Sequence, residues 1–141
     1  MDPLYHPGEL AVQAAAGVTE QARRVGKSIR ETIPPAARDF LAAQQMIVLG
    51  SLVEEQVWTT ALTGPPGFVR AAGDRLITVA TAPATGDPLA AGLQAGNEVG
   101  LLAIDPATRR RMRLNGIVRV RSAAGLTVEA IQVYANCPKY I

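Results

Sequence analysis

The sequence predicts a mainly β domain, a small and mostly antiparallel barrel with helices added before it and one helix inserted. Three observations predict it. Six runs suited to β structure follow residue 45, parted by turn-forming residues. The run 109–121 alternates polar and apolar residues with a period of two, the mark of a strand with one buried face. Inside this region only 87–96 is punctuated as a helix, and the other helical patterns lie before residue 46. Residues 1–45 are therefore expected to form an N-terminal helical extension and 46–141 the barrel.

The first helix is expected over residues 9–29, where Val18, Ala22, Val25 and Ile29 recur at helical spacing. Its apolar stripe is narrow, so it is expected on the outside of the domain or against a partner. Pro34 and Pro35 break the pattern and open a second helix over 36–45, because proline suits a first turn. Strands follow at 46–52 and 57–62, joined by Val53-Glu54-Glu55-Gln56 as a hairpin. Gly64-Pro65-Pro66-Gly67 is a loop; it lacks the spacing and the Lys-Ser/Thr of a nucleotide-binding loop. Further strands are expected at 75–81 and 98–105. Between them Asp87 can cap the inserted helix, Pro88 suits its first turn and Gly96 can end it. The last strands are 109–121 and 126–134, with Ser122-Ala123-Ala124-Gly125 as the turn.

Composition narrows the chemistry. With 141 residues, 48% apolar and 18% charged, the chain can bury one core without disulfides or metal. The low charge fraction points to apolar surface covered by a partner subunit. A formal net charge of +2 is too small for bulk attraction to nucleic acid or anionic membrane. Aromatic residues at 4% make a poor stacking platform for single strands. Cys137 is the only cysteine and His6 the only histidine. Together they remove disulfides, thiolate clusters, His-based triads and most zinc sites. With neither a secretory leader nor an apolar span, a soluble, cytoplasmic protein is expected.

The candidate site residues fall in four places. In 109–121 Met112, Leu114, Val118 and Val120 take one face, while Arg111, Arg113 and Asn115 form a polar row on the other. Arginine grips phosphate with a rigid fork of donors, so this row is either a phosphate site or a solvated strand face. The turn 81–87 offers Thr81 and Thr85 as neutral donors. Asp87 reads first as a plain helix cap, since an aspartate there occupies the amides and repels a phosphate. Trp58 is either a core or interface residue or a platform for a flat ligand. Finally, Asn136-Cys137-Pro138-Lys139-Tyr140-Ile141 sets an amide, a thiol, a cation and a phenol where the last strand ends. Cys137 reads as a structural thiol, and Lys139 equally as a phosphate partner or a cap for the last carbonyls.

Several runs together resemble the pyridoxamine-phosphate-oxidase-like, FMN-binding split-barrel family. They are His6-Pro7-Gly8-Glu9, Leu49-Gly50-Ser51, Leu62-Thr63-Gly64-Pro65-Pro66-Gly67-Phe68, Gly86-Asp87-Pro88-Leu89, Gly100-Leu101-Leu102-Ala103-Ile104-Asp105, residues 109–116 and residues 136–141. The chain is similar in particular to the branch that ends its barrel with Asn-Cys-Pro-Lys-Tyr-Ile. The resemblance implies a six-stranded split barrel and a homodimer holding FMN at the subunit interface. It places Trp58, Thr59 and Thr60 along the flavin ring, and Thr81, Thr85 and Asp87 near the ribityl phosphate. Arg111 matches a position from which relatives reach the flavin, often from the second subunit, and Arg113 is its neighbour in the row. Asn136 and Lys139 belong to the terminal signature. Gly86-Asp87 stands where oxidases of pyridoxamine phosphate typically carry an Arg-Lys pair, which argues against that substrate; Arg111 or Arg113 is left to replace the missing cations. The expected function is thus an FMN-dependent oxidoreductase of unassigned substrate, its electron donor supplied from elsewhere. The alternative is a non-catalytic module that uses the same barrel for deazaflavin or haem, or one that has lost its ligand.

Overall fold

The structure is a computed structural model that describes residues 4–135. Four helices and one seven-stranded sheet make it up. The helix expected over 9–29 is two, α1 (Pro7–Ala15) and α2 (Thr19–Gly26), because the chain reverses at Gly17 with a φ of 68°. His6 caps α1: its Nδ1 accepts from the Gly8 and Glu9 amides while the Glu9 carboxylate accepts from the His6 amide. The narrow stripe stays outside, since Val25 is 62% exposed and α1 buries no residue. Helix α3 (Pro35–Ala42) opens on its proline as expected and drives Phe40 and Leu41 into the core.

The strands are β1 (Met46–Val53), β2 (Gln56–Thr63), β3 (Val69–Ala71), β4 (Leu76–Val79), β5 (Glu98–Asp105), β6 (Arg110–Ser122) and β7 (Gly125–Ala135). Helix α4 (Pro88–Gly92) is the inserted one. All neighbours pair antiparallel, in the order β2-β1-β5-β6-β7-β4-β3. The six strands read from the sequence are present. The seventh, β3, has three residues, too few to show a period. β2 and β3 end the sheet without pairing to each other, so the sheet is split and not closed into a barrel.

The β1–β2 hairpin turns at Glu54 and Glu55, both at positive φ (49° and 64°), with Val53 paired to Gln56. That is the backbone of a two-residue turn that favours Asn-Gly, and two glutamates strain it. Replacing Glu54 by Asn together with Glu55 by Gly should raise stability by about 1 kcal/mol. A urea midpoint that fell instead would show that the glutamates make contacts worth more than the strain.

The core takes Ile47, Leu49, Leu101, Leu114 and Val128 from the sheet, Leu89 from α4, and Ile33 and Leu41 from before residue 46. On β6 the predicted alternation holds for Met112, Leu114 and Val118 and fails at Val120, which is 55% exposed. A register shift against β7 between Val118 and Val120 inverts the faces there. A second shift, beside Asn115 and Gly116, turns Ile131 of β7 outward in the same way.

Candidate functional site

The split between the two sheet edges is one candidate site. β2 has β1 as its only ladder partner, so its outer backbone groups are left for something else. Alternation sends Trp58 and Thr60 to the face of buried Leu62, and Thr59 to the opposite face, across from Gly50. Trp58 is 40% exposed and belongs to an edge strand, not to the core. Helix α4 rests on β1 and β2, so close that a Cβ on Gly92 would lie 2.2 Å from Val53 Cγ1. The turn 81–87 that leads into α4 therefore ends on the face of the sheet that carries Trp58 and Thr60, while Thr59 takes the opposite face.

Within that turn Thr81 is half-buried and Thr85 exposed. Asp87 Oδ1 accepts from the Leu89 amide at 2.8 Å, the cap its position predicts. A phosphate here needs a cation from elsewhere, and sequence reasoning missed one candidate, on the β3–β4 pair that precedes the turn. Arg70 stands on β3, paired with Thr78, and lines a concavity of about 370 Å³ with Ala80, Gly125 and Thr127. Its only sequence signal was a single apolar residue on each side of it, which three residues cannot turn into a pattern.

The β6 row is a second place, three strand spacings or about 14 Å from β2. Among the described residues no acid faces it across the sheet: Arg111 pairs with Ile104, Arg113 with Leu102 and Tyr134, and Asn115 with Gly100 and Gln132. The Asn115 amide donates to Gln132 Oε1 at 2.9 Å, which fixes both side chains. By contrast Arg119 is neutralised by Glu129 at 2.7 Å. Arg113 is exposed, whereas Arg111 is half-buried and lines a groove of about 390 Å³ beneath α3. The two arginines thus diverge, although they share a face.

On this one chain, then, Trp58 and Thr60 share a strand and a face with the contact to the helix that Asp87 caps, Thr59 faces away, and Arg111 and Arg113 lie apart on β6. Asn136, Lys139 and the terminal signature fall outside the described residues. Near the groove the β5–β6 turn is held by Asp105, whose carboxylate accepts from Thr108 Oγ1 at 2.6 Å and from the Ala107 amide at 3.0 Å. The Thr108 hydroxyl is the main reason its pKa lies below the usual carboxylate value. Among the described residues no group of His, Cys, Asp and Glu is placed to hold a metal ion. Nor is any helix there long and apolar enough to cross a membrane.

No family model and no curated protein matches the chain. Solved structures do. A tagged variant of HupZ from Group A Streptococcus superposes with a TM-score of 0.53 at 10% identity, covering 74% of this chain and 99% of that one. A candidate pyridoxamine 5′-phosphate oxidase from Lactobacillus delbrueckii gives 0.53 at 11%, covering 75% and 96%. An FMN-binding protein from Syntrophomonas wolfei gives 0.53 at 9%, covering 92% and 97%. At such identities the likeness speaks for architecture alone. The chain has the fold of the pyridoxamine-phosphate-oxidase-like proteins that its sequence resembles.

Proposed function

We propose that the protein is a homodimeric FMN-binding flavoprotein, an oxidoreductase whose cofactor lies at the split of the sheet. The observation that carries this reading is the likeness to an FMN-binding protein over 92% of the chain. The residues at the split fit such a group. The unpaired edge of β2 offers backbone donors and acceptors to the rim of a flat heterocycle, and Trp58 offers it an apolar face. Thr81 and Thr85 offer hydroxyls to a phosphate at a turn whose own acid is occupied in capping, and Arg70 offers a guanidinium from the concavity that Ala80 shares. When bound, FMN supplies the redox chemistry, and the protein binds, orients and shields it.

A second subunit is favoured by apolar surface near the split. Leu52 and Val57, at the tip of the β1–β2 hairpin, are 58% and 77% exposed. They rim a concavity of about 560 Å³ floored by Gly50 and Gly100, and Ile131, 42% exposed, closes its far side. Covering these residues is what a partner copy would gain. Arg113, exposed and without an acid across the sheet, is the cation of β6 left to reach a partner's cofactor.

A thermal-shift panel of FMN, riboflavin, deazaflavin and haem tests the reading. A ligand that binds only the folded state stabilises by about 2.7 kcal/mol at one hundred times its Kd. For a domain of this size the melting temperature should rise by roughly 8 °C with FMN, and less with riboflavin, which lacks the phosphate. Arg70→Ala should weaken FMN about ten-fold. Equal shifts for FMN and riboflavin, or a shift with haem or deazaflavin alone, would overturn the assignment. Haem has little to bind to, since the single histidine is spent on capping α1.

A further inference from the structure

Beneath α3 the chain builds a groove that the flavin reading does not use. Its floor is apolar: Ala37 and Phe40 from α3 meet Met112 from β6 and Val133 from β7. The strand-like segment before α3 is pinned alongside, because Arg30 and Val133 exchange both backbone hydrogen bonds, at 2.9 and 2.6 Å. Arg30, Arg110 and Arg111 stand on its rim. Among the described residues that line it there is no acid, although Asp105 of β5 stands across from Arg110. In a chain whose formal net charge is only +2, Arg30 and Arg111 leave that rim locally positive.

The arginines are not equivalent. Arg110 lies over the Phe40 ring, 4.8 Å from its centroid, and so belongs to the wall. Arg111 is the informative one. Its Nε is buried and has no hydrogen-bond partner. A buried donor of a charged group left unpaired is costly, and such groups are nearly always satisfied in folded proteins. A carboxylate or phosphate entering the groove meets the part of Arg111 that lines it, where the guanidinium fork favours such an oxygen, and drawing the guanidinium toward the ligand would release Nε from its unpaired burial. The volume, about 390 Å³, falls in the range of small-molecule sites, which are mainly apolar with a few polar anchors.

We infer that this groove binds a small amphipathic anion, with its carboxylate or phosphate on Arg111 and its apolar body on Phe40, Ala37 and Met112. The inference is independent of the cofactor assignment, because one chain supplies every wall. Calorimetric titration with octyl phosphate, octanoate and octanol tests it, the first two distinguishing the headgroup. Either anion should bind at least ten-fold more tightly than octanol. Arg111→Gln should remove about ten-fold of that affinity, and Ala37→Phe should abolish binding by filling the floor. Arg119→Ala, on the same strand but outside the groove, should leave octyl phosphate binding unchanged. Circular dichroism and a urea midpoint for each variant separate lost binding from lost folding.

Equal binding of octanol, or no effect of Arg111→Gln in a folded variant, overturns the proposal. So does binding that appears only after residues 136–141 are deleted, for the groove would then be the seat of that segment. Displacement of octyl phosphate by FMN at matching affinity would assign the groove to the cofactor and also overturn it. Failure of FMN to bind at all, with octyl phosphate bound as expected, sinks the flavin reading and leaves this one standing.

Discussion

Gly125→Ala is expected to destabilise the protein by roughly 3–5 kcal/mol, enough to unfold a large fraction of a marginally stable domain. Two costs combine. Gly125 has a φ of 144°, a conformation that residues with a Cβ rarely adopt and that costs of order 1–3 kcal/mol. A Cβ built there would also sit 1.9 Å from the Val79 carbonyl oxygen and 3.0 Å from the Thr81 nitrogen. Those are backbone atoms at the end of β4, so no side chain can swing aside, and β4 must part from β7. The damage reaches the proposed cofactor site, because Thr81 opens the turn that leads to Asp87. Gly17→Ala separates the two costs: its φ of 68° is also positive, yet a Cβ there meets nothing within 4 Å. It should cost only about 1 kcal/mol. Guanidinium chloride midpoints for the pair give the comparison, and near-equal losses would mean that the close approach to Val79 is not real.

What was legible in the sequence follows from where periodicity is long enough to speak. The even and odd positions of β6 separated correctly from Met112 to Val118, because one buried face over many residues leaves a strong period-two record. Val120 broke the rule, since an extra residue inserted against β7 flips the faces and bulges carry no compositional mark. The Asp87-Pro88 start of α4 was readable through local chemistry, a cap and a first-turn proline, both satisfied within the helix itself. Its end was misjudged: the helix stops at Gly92, where contact with Val53 leaves no room for a side chain, a tertiary limit absent from local sequence.

The site was less legible than the fold. Arg111 and Arg113 look identical in sequence, two guanidinium groups on one face. Only the packing of α3 over the end of β6 draws Arg111 under cover and leaves Arg113 in the open. Arg70 was invisible for the opposite reason, since its strand is defined by pairing with β4 and not by any pattern of its own. The surroundings of the candidate positions are set by contacts between distant segments, which a linear reading reaches only through resemblance.

Leu114→Ala should cost about 3–4 kcal/mol while leaving the ligand chemistry of β6 intact. Leu114 is fully buried, on the central run of the sheet between β5 and β7, where its neighbours Leu101 and Val133 are held by ladder bonds and cannot collapse into a cavity. One residue away, Arg113 faces the other side and has no ion-pair partner opposite it. Arg113→Ala should therefore change stability by less than about 0.5 kcal/mol. If Arg113 reaches the cofactor of a partner subunit, the same change should weaken FMN about ten-fold and do so only in the dimer. Denaturation midpoints and FMN titrations on both variants read the two faces independently. A large stability loss from Arg113→Ala, or a small one from Leu114→Ala, would mean the strand faces are assigned backwards. Normal FMN affinity in Arg113→Ala would confine the cofactor's cations to the split itself, with Arg70 as the one that matters.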